Sequence, residues 1–343
     1  MPEYLNKLAL YLQLLRRSLA RFGLDGFLLS LLGVIGLAYV WPEPGIKEGT
    51  WSLENLAGYG VSVIFFFYGL RLSPQKLWLG LSNWRLHVVV QLTTFLVFPL
   101  LVLPFRGFFV GTNYELIWLG AFFLAALPST VSSSVVMVSV AGGNLPGAIF
   151  NASISSLLGV LLTPLWMSFF LAEAGNFNPA GIFLKLGIQV LFPVTLGILL
   201  HRFWGAFADT HKQKLRLFDQ SIILLIVYTS FSDSFARNMF SDYNMVHLFL
   251  LGLSLLGLYF LVYGLVNFIS RILGFSREDR ITMLFCGSKK SLVHGTVMAR
   301  VLFQGASFTG IVLLPIMLYH ALQLIIASIM AQAMAQKSTE NQK

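Results

Sequence analysis

The chain has 343 residues, 57% of them hydrophobic and only 11% charged. A soluble domain carries roughly 25% charged residues and needs that polar surface to cover its core, so the composition excludes a water-soluble globular protein and predicts an all-α polytopic membrane protein. The net charge of +9 sits in short loops between apolar runs rather than on one patch, which excludes a nucleic-acid-binding surface. The single cysteine, Cys286, excludes an internal disulfide or a thiolate metal cluster.

Residues 1–24 come first. Leu5, Leu8, Leu12, Leu15 and Leu19 share a helical face, and Arg16, Arg17 and Arg21 lie mostly off it. That pattern predicts an interfacial helix on the inner leaflet, in contact with membrane lipid. The apolar run precedes the arginines and no small-residue cleavage site follows, unlike a secretory signal.

About 20 apolar residues cross a bilayer core about 30 Å thick as a helix. Hydropathy and breakers divide the rest of the chain into about ten such transmembrane spans, near 25–41, 56–73, 84–105, 115–141, 144–171, 180–201, 218–236, 245–273, 280–303 and 306–334, followed by a tail over 335–343. Sixteen lysines and arginines fall on one side of these spans, among them Arg71, Arg85, Lys212, Arg277 and Lys337. Four fall on the other, Lys47, Arg106, Arg237 and Arg300. The positive-inside rule then places both termini in the cytoplasm. Lys185, Lys289 and Lys290 remain, at apparent membrane depth. An even span count with both ends inside makes residues 25–172 and 173–334 two five-helix repeats of opposite orientation, a frequent transporter plan.

The fourth and ninth spans, equivalent in the two halves, are the interrupted ones. Leu116–Leu127 is an apolar run of only about 18 Å as a helix. Pro128 then lacks an amide donor and disfavours helix before it, and Ser129, Thr130, Ser132, Ser133 and Ser134 follow before apolar sequence resumes and stops at Gly142–Gly143–Asn144. The ninth span runs from Ile281–Phe285 through Cys286–Gly287–Ser288–Lys289–Lys290–Ser291 to a second apolar stretch, Leu292–Phe303. Unwound backbone at this depth is tolerable only where protein or a water-filled cavity covers it. Two facing breaks would present amides, carbonyls and helix-end dipoles to a solute.

Each feature also has a plainer reading. Serines in membrane helices often bond the carbonyl four residues back. A ninth span beginning at Leu292 would leave both lysines among the cytoplasmic headgroups. His294, four residues after Lys290, could serve packing alone, and Arg300 is expected to snorkel to the outer surface. A lysine at mid-membrane nonetheless costs roughly 2.5–3.5 kcal/mol, and two together call for a functional reason. All fourteen carboxylates lie in loops, tails or span ends. An ion site would therefore have to use serine hydroxyls, backbone carbonyls and Asn151. No cofactor is implied.

Five segments, FFFYGLRLSPQKL, LHVVVQLTTFLVFPL, ALPSTVSSSVV, GGNLPGAIFNASISSLLGVLLTPL and FCGSKKSLVHGTVMA, together resemble the bile acid:sodium symporter family in its SBF-like branch, over roughly residues 25–330. The resemblance implies a panel domain of spans one, two, six and seven. It also implies a core domain of the others, with spans four and nine crossing at their breaks. By position, Ser133 and Ser134 match a serine–asparagine pair that helps bind sodium, and Ala148 and Ala152 fall near sodium-ligating hydroxyls of the fifth span, with Asn151 and Ser155 close by. In the ninth span Phe285 stands at an acidic position, and Lys289 and Lys290 replace a glutamine and an asparagine before Ser291. A buried ammonium could fill the space and charge that sodium occupies in other members.

The expected function is secondary transport of a small organic anion by alternating access, without firm reason for sodium coupling. Its expected binding residues are Ser132, Ser133, Ser134, Asn151, Ser155, Ser288, Lys289, Lys290, Ser291 and His294. The alternative is a non-transporting membrane regulator of ion homeostasis that keeps the fold. A third class, an intramembrane hydrolase with a serine–lysine pair, has no oxyanion-hole or lid signature behind it.

Overall fold

Helices account for most of the described residues, because their backbone polar groups bond within the segment and need nothing from lipid. The computed structural model describes residues 26–72, 83–171, 184 and 187–340, without the side chains of Ser132, Leu171 and 337–340. The expected interfacial segment 1–24 and Lys185 lie outside the described residues. Among the latter, seven helices are long and apolar enough to cross a membrane. These are α2 (Leu53–Arg71), α3 (Trp84–Phe108), α5 (Leu145–Leu171), α6 (Gly187–Thr210), α7 (Lys212–Ala236), α8 (Met245–Ile272) and α10 (Thr309–Glu340). A shorter apolar helix, α1 (Gly26–Val40), precedes them.

The expected fourth and ninth spans are each two short helices. α4a (Glu115–Ala126) and α4b (Ser132–Ala141) are separated by irregular chain at Leu127–Val131. α9a (Arg277–Gly287) and α9b (Leu292–Leu302) are separated at Ser288–Ser291. Both interruptions fall where Pro128 and the polar run around the lysines predict them. Several boundaries differ from hydropathy for local reasons. α9a begins before residue 280 because Ser276 caps it, its hydroxyl accepting from the Asp279 amide at 3.1 Å. α7 starts at Lys212, its polar first turns being helical though not apolar. The last helix continues through the expected tail to Glu340. Gly142, at φ 72°, supplies the left-handed turn that ends α4b.

α2 lies along α6 and α7, and α1 packs on α7. The α2–α6 contact is as close as two helices come: a Cβ on Gly69 would strike the carbonyl of Val194, and one on Gly197 the carbonyl of Phe66. Arg71 and Asp219 join α2 to α7 by an ion pair at 2.9 Å. The broken helices belong to a second set, in which α10 packs on α4a, α4b and α9b while α9a packs on α3, α4b, α5 and α8. The Asp279 carboxylate ties this set together at one end, accepting from Asn83 Nδ2 at 2.8 Å and Asn144 Nδ2 at 2.7 Å. Phe249, Leu253, Phe260 and Phe268 of α8 are exposed, as expected of a face that meets lipid.

Candidate functional site: two helix breaks joined by two lysines

A broken helix leaves carbonyls without amide partners, and each must be satisfied where no water reaches. The end of α4a shows where they go. Leu124 O accepts the Leu127 amide at 3.1 Å, Ala126 O accepts Thr163 Oγ1 at 2.7 Å, and Pro128 O accepts the Ser291 amide at 2.9 Å. Ala125 O and Leu127 O accept from one donor, the Lys290 ammonium, at 2.7 and 2.9 Å. Its third bond goes to Thr94 O at 2.7 Å. An ammonium has three N–H donors, and here every one is used.

Thr94 O is available because of Pro99. α3 passes through a π turn at Thr93–Val97, in which the Phe98 amide bonds Thr93 O five residues back. The next residue is Pro99, which has no amide to give. The carbonyls it would otherwise meet, four and five residues back, turn outward: Phe95 O takes Trp166 Nε1 at 2.8 Å, and Thr94 O takes Lys290. The Phe98 ring completes the cage, its centroid 4.1 Å from Lys290 Nζ, a cation–π contact. Lys290 is 1% exposed.

The Lys290 backbone is held as firmly. Its amide donates to Gln323 Oε1 at 2.8 Å, and its carbonyl accepts Gln323 Nε2 at 2.7 Å, so one α10 side chain replaces a turn of helix. Tyr319 OH donates to Ser288 O at 2.7 Å, and Ser288 Oγ to Leu284 O at 2.6 Å. Ser291 opens α9b, its hydroxyl accepting from the His294 amide at 3.3 Å and bonding His294 Nδ1 at 3.0 Å.

Lys289 reaches the other way. Its ammonium donates to Ser133 Oγ at 2.9 Å, and the lysine is fully buried while Ser133 is only partly so. Thr130 Oγ1 lies 2.8 Å from both Ser133 Oγ and Ser134 Oγ, and Ser134 Oγ donates to Phe285 O at 3.0 Å. The first break thus meets Lys289 with hydroxyls and Lys290 with carbonyls. The headgroup placement of the lysines is not observed.

The remaining expected residues fall in two places. His294 faces α2, its ring 5.4 Å from Tyr68 and 6.3 Å from Phe65; it does not share a helix face with Lys290, because α9b begins only at Leu292. Asn151 and Ser155 lie on α5; neither bonds an ammonium, but Ser155 reaches the first break. Asn151 bonds Gln91 Nε2 at 3.2 Å and Gly147 O at 2.9 Å, and Ser155 Oγ accepts the Ser129 amide at 3.0 Å. Ser132 begins α4b; its side chain is outside the described residues. Ala148 and Ala152 are fully buried. Arg300 does not snorkel. Its guanidinium is buried, bonding Glu54 Oε1 at 2.7 Å and Glu54 O at 3.0 Å across to the start of α2, so a half-exposed carboxylate rather than water is its partner.

Thr94, Phe98, Ala125 and Gln323 were not legible as site residues. Only Pro99, in LVFPL, signals that carbonyls of the third span lack an amide.

Residues 25–336 match the family model described as "SBF-like CPA transporter family". The chain is 40% identical over 323 residues to "Uncharacterized protein PA2026" of Pseudomonas aeruginosa, covering 93% of this chain and 96% of that one. It is 34% identical to "Putative symporter YfeH" of Escherichia coli K12, over 90% of this chain and 92% of the relative. "Sodium/bile acid cotransporter 7" of Danio rerio is 30% identical, over 91% and 94% of the two chains.

Proposed function

Because the chain belongs to the SBF-like CPA transporter family, we propose that it carries a small organic anion across the membrane by alternating access, with no sodium ion where its two broken helices cross. In this reading the ten helical passages form two inverted halves with both termini in the cytoplasm of a bacterium. α1, α2, α6 and α7 act as the panel against which the other helices move.

The observation that carries the proposal is the Lys290 cage. Three carbonyls and an aromatic face gathered around one positive charge make a cation site, and the charge in it is covalently attached. A sodium ion there would have to displace an ammonium whose three donors are all engaged.

Lys289 is the better candidate to meet solute. It spends one donor on Ser133, which is only partly buried and in this reading faces a gap between the two helix sets. A relative is named for bile acid, itself an organic anion, and a symporter relative is similar over most of the chain. His294, Tyr68 and Phe65 would form the aromatic wall across that gap. Lys289 Nζ and Ser133 Oγ lie within hydrogen-bond reach, but the relatives are named as transporters, which speaks against a hydrolase reading.

A thermal-shift screen of the detergent-purified protein against organic carboxylates and sulfonates, in sodium and in choline salts, tests the proposal. A ligand of the folded state raises the unfolding temperature by mass action. Stabilisation by an anion, equal in both salts and reduced in Lys289→Met, supports it; stabilisation that requires sodium contradicts it.

A further inference from the structure

α8 presents lipid with phenylalanine and leucine, but its inner face is polar where α9a and α10 cover it. Tyr259, Tyr263 and Asn267 follow one another at intervals of four residues and so form one stripe, about 12 Å long at 1.5 Å per residue. At the arginine-rich end Arg280 Nη2 donates to Asn267 Oδ1 at 3.4 Å. Next along is Tyr263, its ring stacked 6.1 Å from that of Tyr259. Tyr259, 1% exposed, is in turn 6.1 Å from the ring of Tyr319, whose hydroxyl bonds Ser288 O in the ninth-span break.

Three polar atoms along this stripe and on the α9a side chain beside it are buried without a well-aligned hydrogen bond: Arg280 Nε, Tyr263 OH and Tyr259 OH, the last beside the Ser288 hydroxyl. A buried donor left unmade costs about 1–3 kcal/mol, and no bulk water bathes a bilayer core. Three such atoms in sequence, from the helix end to the break, are too costly to be an accident of packing. Phenylalanine would fill the same volume at both tyrosines without the cost. Buried waters with two to four polar partners are the usual remedy, and two phenols, a guanidinium, an amide and the Ser288 hydroxyl offer such partners.

We propose that this stripe binds a file of water molecules, a lane inside the core that joins the arginine-rich face to the α9 break. It runs on the far side of the break from His294, Phe65 and Tyr68. The break would then have two approaches: the gap facing α2, for solute, and this narrow lane, for water alone. The inference rests on the side chains themselves and holds whatever solute is carried.

Hydroxyl-radical footprinting of the full-length protein in detergent, read by mass spectrometry, tests it, because radicals generated from bound water label the residues that water touches. Tyr259 should label several-fold faster than Phe122 and Phe231, which are as deeply buried and lie off the lane. Labelling as slow as theirs would overturn the proposal. The variants Tyr259→Phe and Tyr263→Phe give an independent reading by the sign of the stability change. If the hydroxyls hold water, removing either lowers the unfolding temperature and slows labelling of the remaining tyrosine. A rise in unfolding temperature, the result for a dry and unpartnered hydroxyl, would count against the lane.

Discussion

The two helix breaks look alike in sequence position but are opposite in chemistry. The first, Leu127–Val131, ends a helix with bare carbonyls and follows with hydroxyls; it brings no charge. The second, Ser288–Ser291, brings two ammoniums and has its own backbone tied by Gln323 and Tyr319 from α10. Each lacks what the other has. The first break offers acceptors that only a cation or strong donors can satisfy, and the second offers positive charge that cannot be buried alone. Crossing them solves both problems, through Lys290 on Ala125 O and Leu127 O, Lys289 on Ser133, and the Ser291 amide on Pro128 O. Two buried lysines thus become structural elements instead of a liability.

The sharpest way to break this complementarity is Lys290→Met. Three carbonyls lose their donor together, and at about 1–3 kcal/mol for each buried group left unpaired, we expect a loss of at least about 3 kcal/mol, seen as a lower unfolding temperature and poor recovery as a monodisperse protein. Lys290→Arg should not rescue it, because a planar guanidinium fork does not match three converging carbonyls. Wild-type stability in Lys290→Met would mean that the cage is incidental.

A smaller effect tests how tightly the first break is held on its α5 side and on its α9b side. A Cβ on Gly159 would come within 2.7 Å of the Pro128 ring, which cannot turn aside, whereas one on Gly295 would meet Leu127 Cδ1, the end of a flexible side chain, at 2.6 Å. Gly159→Ala should cost about 1–3 kcal/mol, the usual penalty of overpacking, and Gly295→Ala less. Denaturation of both variants side by side checks the order; Gly295→Ala as the worse of the two would show that the break yields at Pro128 more readily than at Leu127.

Lys289→Met removes one bond to a hydroxyl that keeps Thr130 as a partner, so its structural cost should be about 1 kcal/mol, well below that of Lys290→Met. Its larger effect should be on anion binding. Equal destabilisation by the two lysine variants would erase the distinction drawn between them.

The smallest effect is expected away from the breaks, at Glu54→Gln. The Glu54 side chain is 44% exposed and the buried Arg300 keeps its bond to Glu54 O in this variant, so the loss should stay within about 1 kcal/mol. The loss should shrink in high salt, and a double cycle with Arg300→Gln would measure the coupling between α2 and α9b.

Much of this was legible in the sequence because it rests on local chemistry. Pro128 and the five hydroxyl residues after it mark one break, and a polar run holding two lysines inside apolar sequence marks the other. What stayed hidden has no sequence signature. The acceptors for Lys290 are main-chain oxygens of Thr94, Ala125 and Leu127, which any residue could supply; only the folded path of α3 and α4a makes them converge. Gln323 lies 33 residues from the break it braces. Arg300 was misread because a charged residue near a helix end is commonly at the surface, and its partner, Glu54, belongs to a helix far away in the chain. The start of α7 was missed for the opposite reason: Lys212–Asp219 is helical yet not apolar, and hydropathy sees only the latter property.

The central claim is that an ammonium stands where a free cation would otherwise be needed. Its most direct test is the unfolding temperature of the detergent-purified wild-type protein titrated with sodium chloride against choline chloride at constant ionic strength. If Lys290 already fills the cage, the two salts give superimposable curves. A saturable rise in unfolding temperature with sodium alone would show that a cation site remains to be filled and would contradict the account.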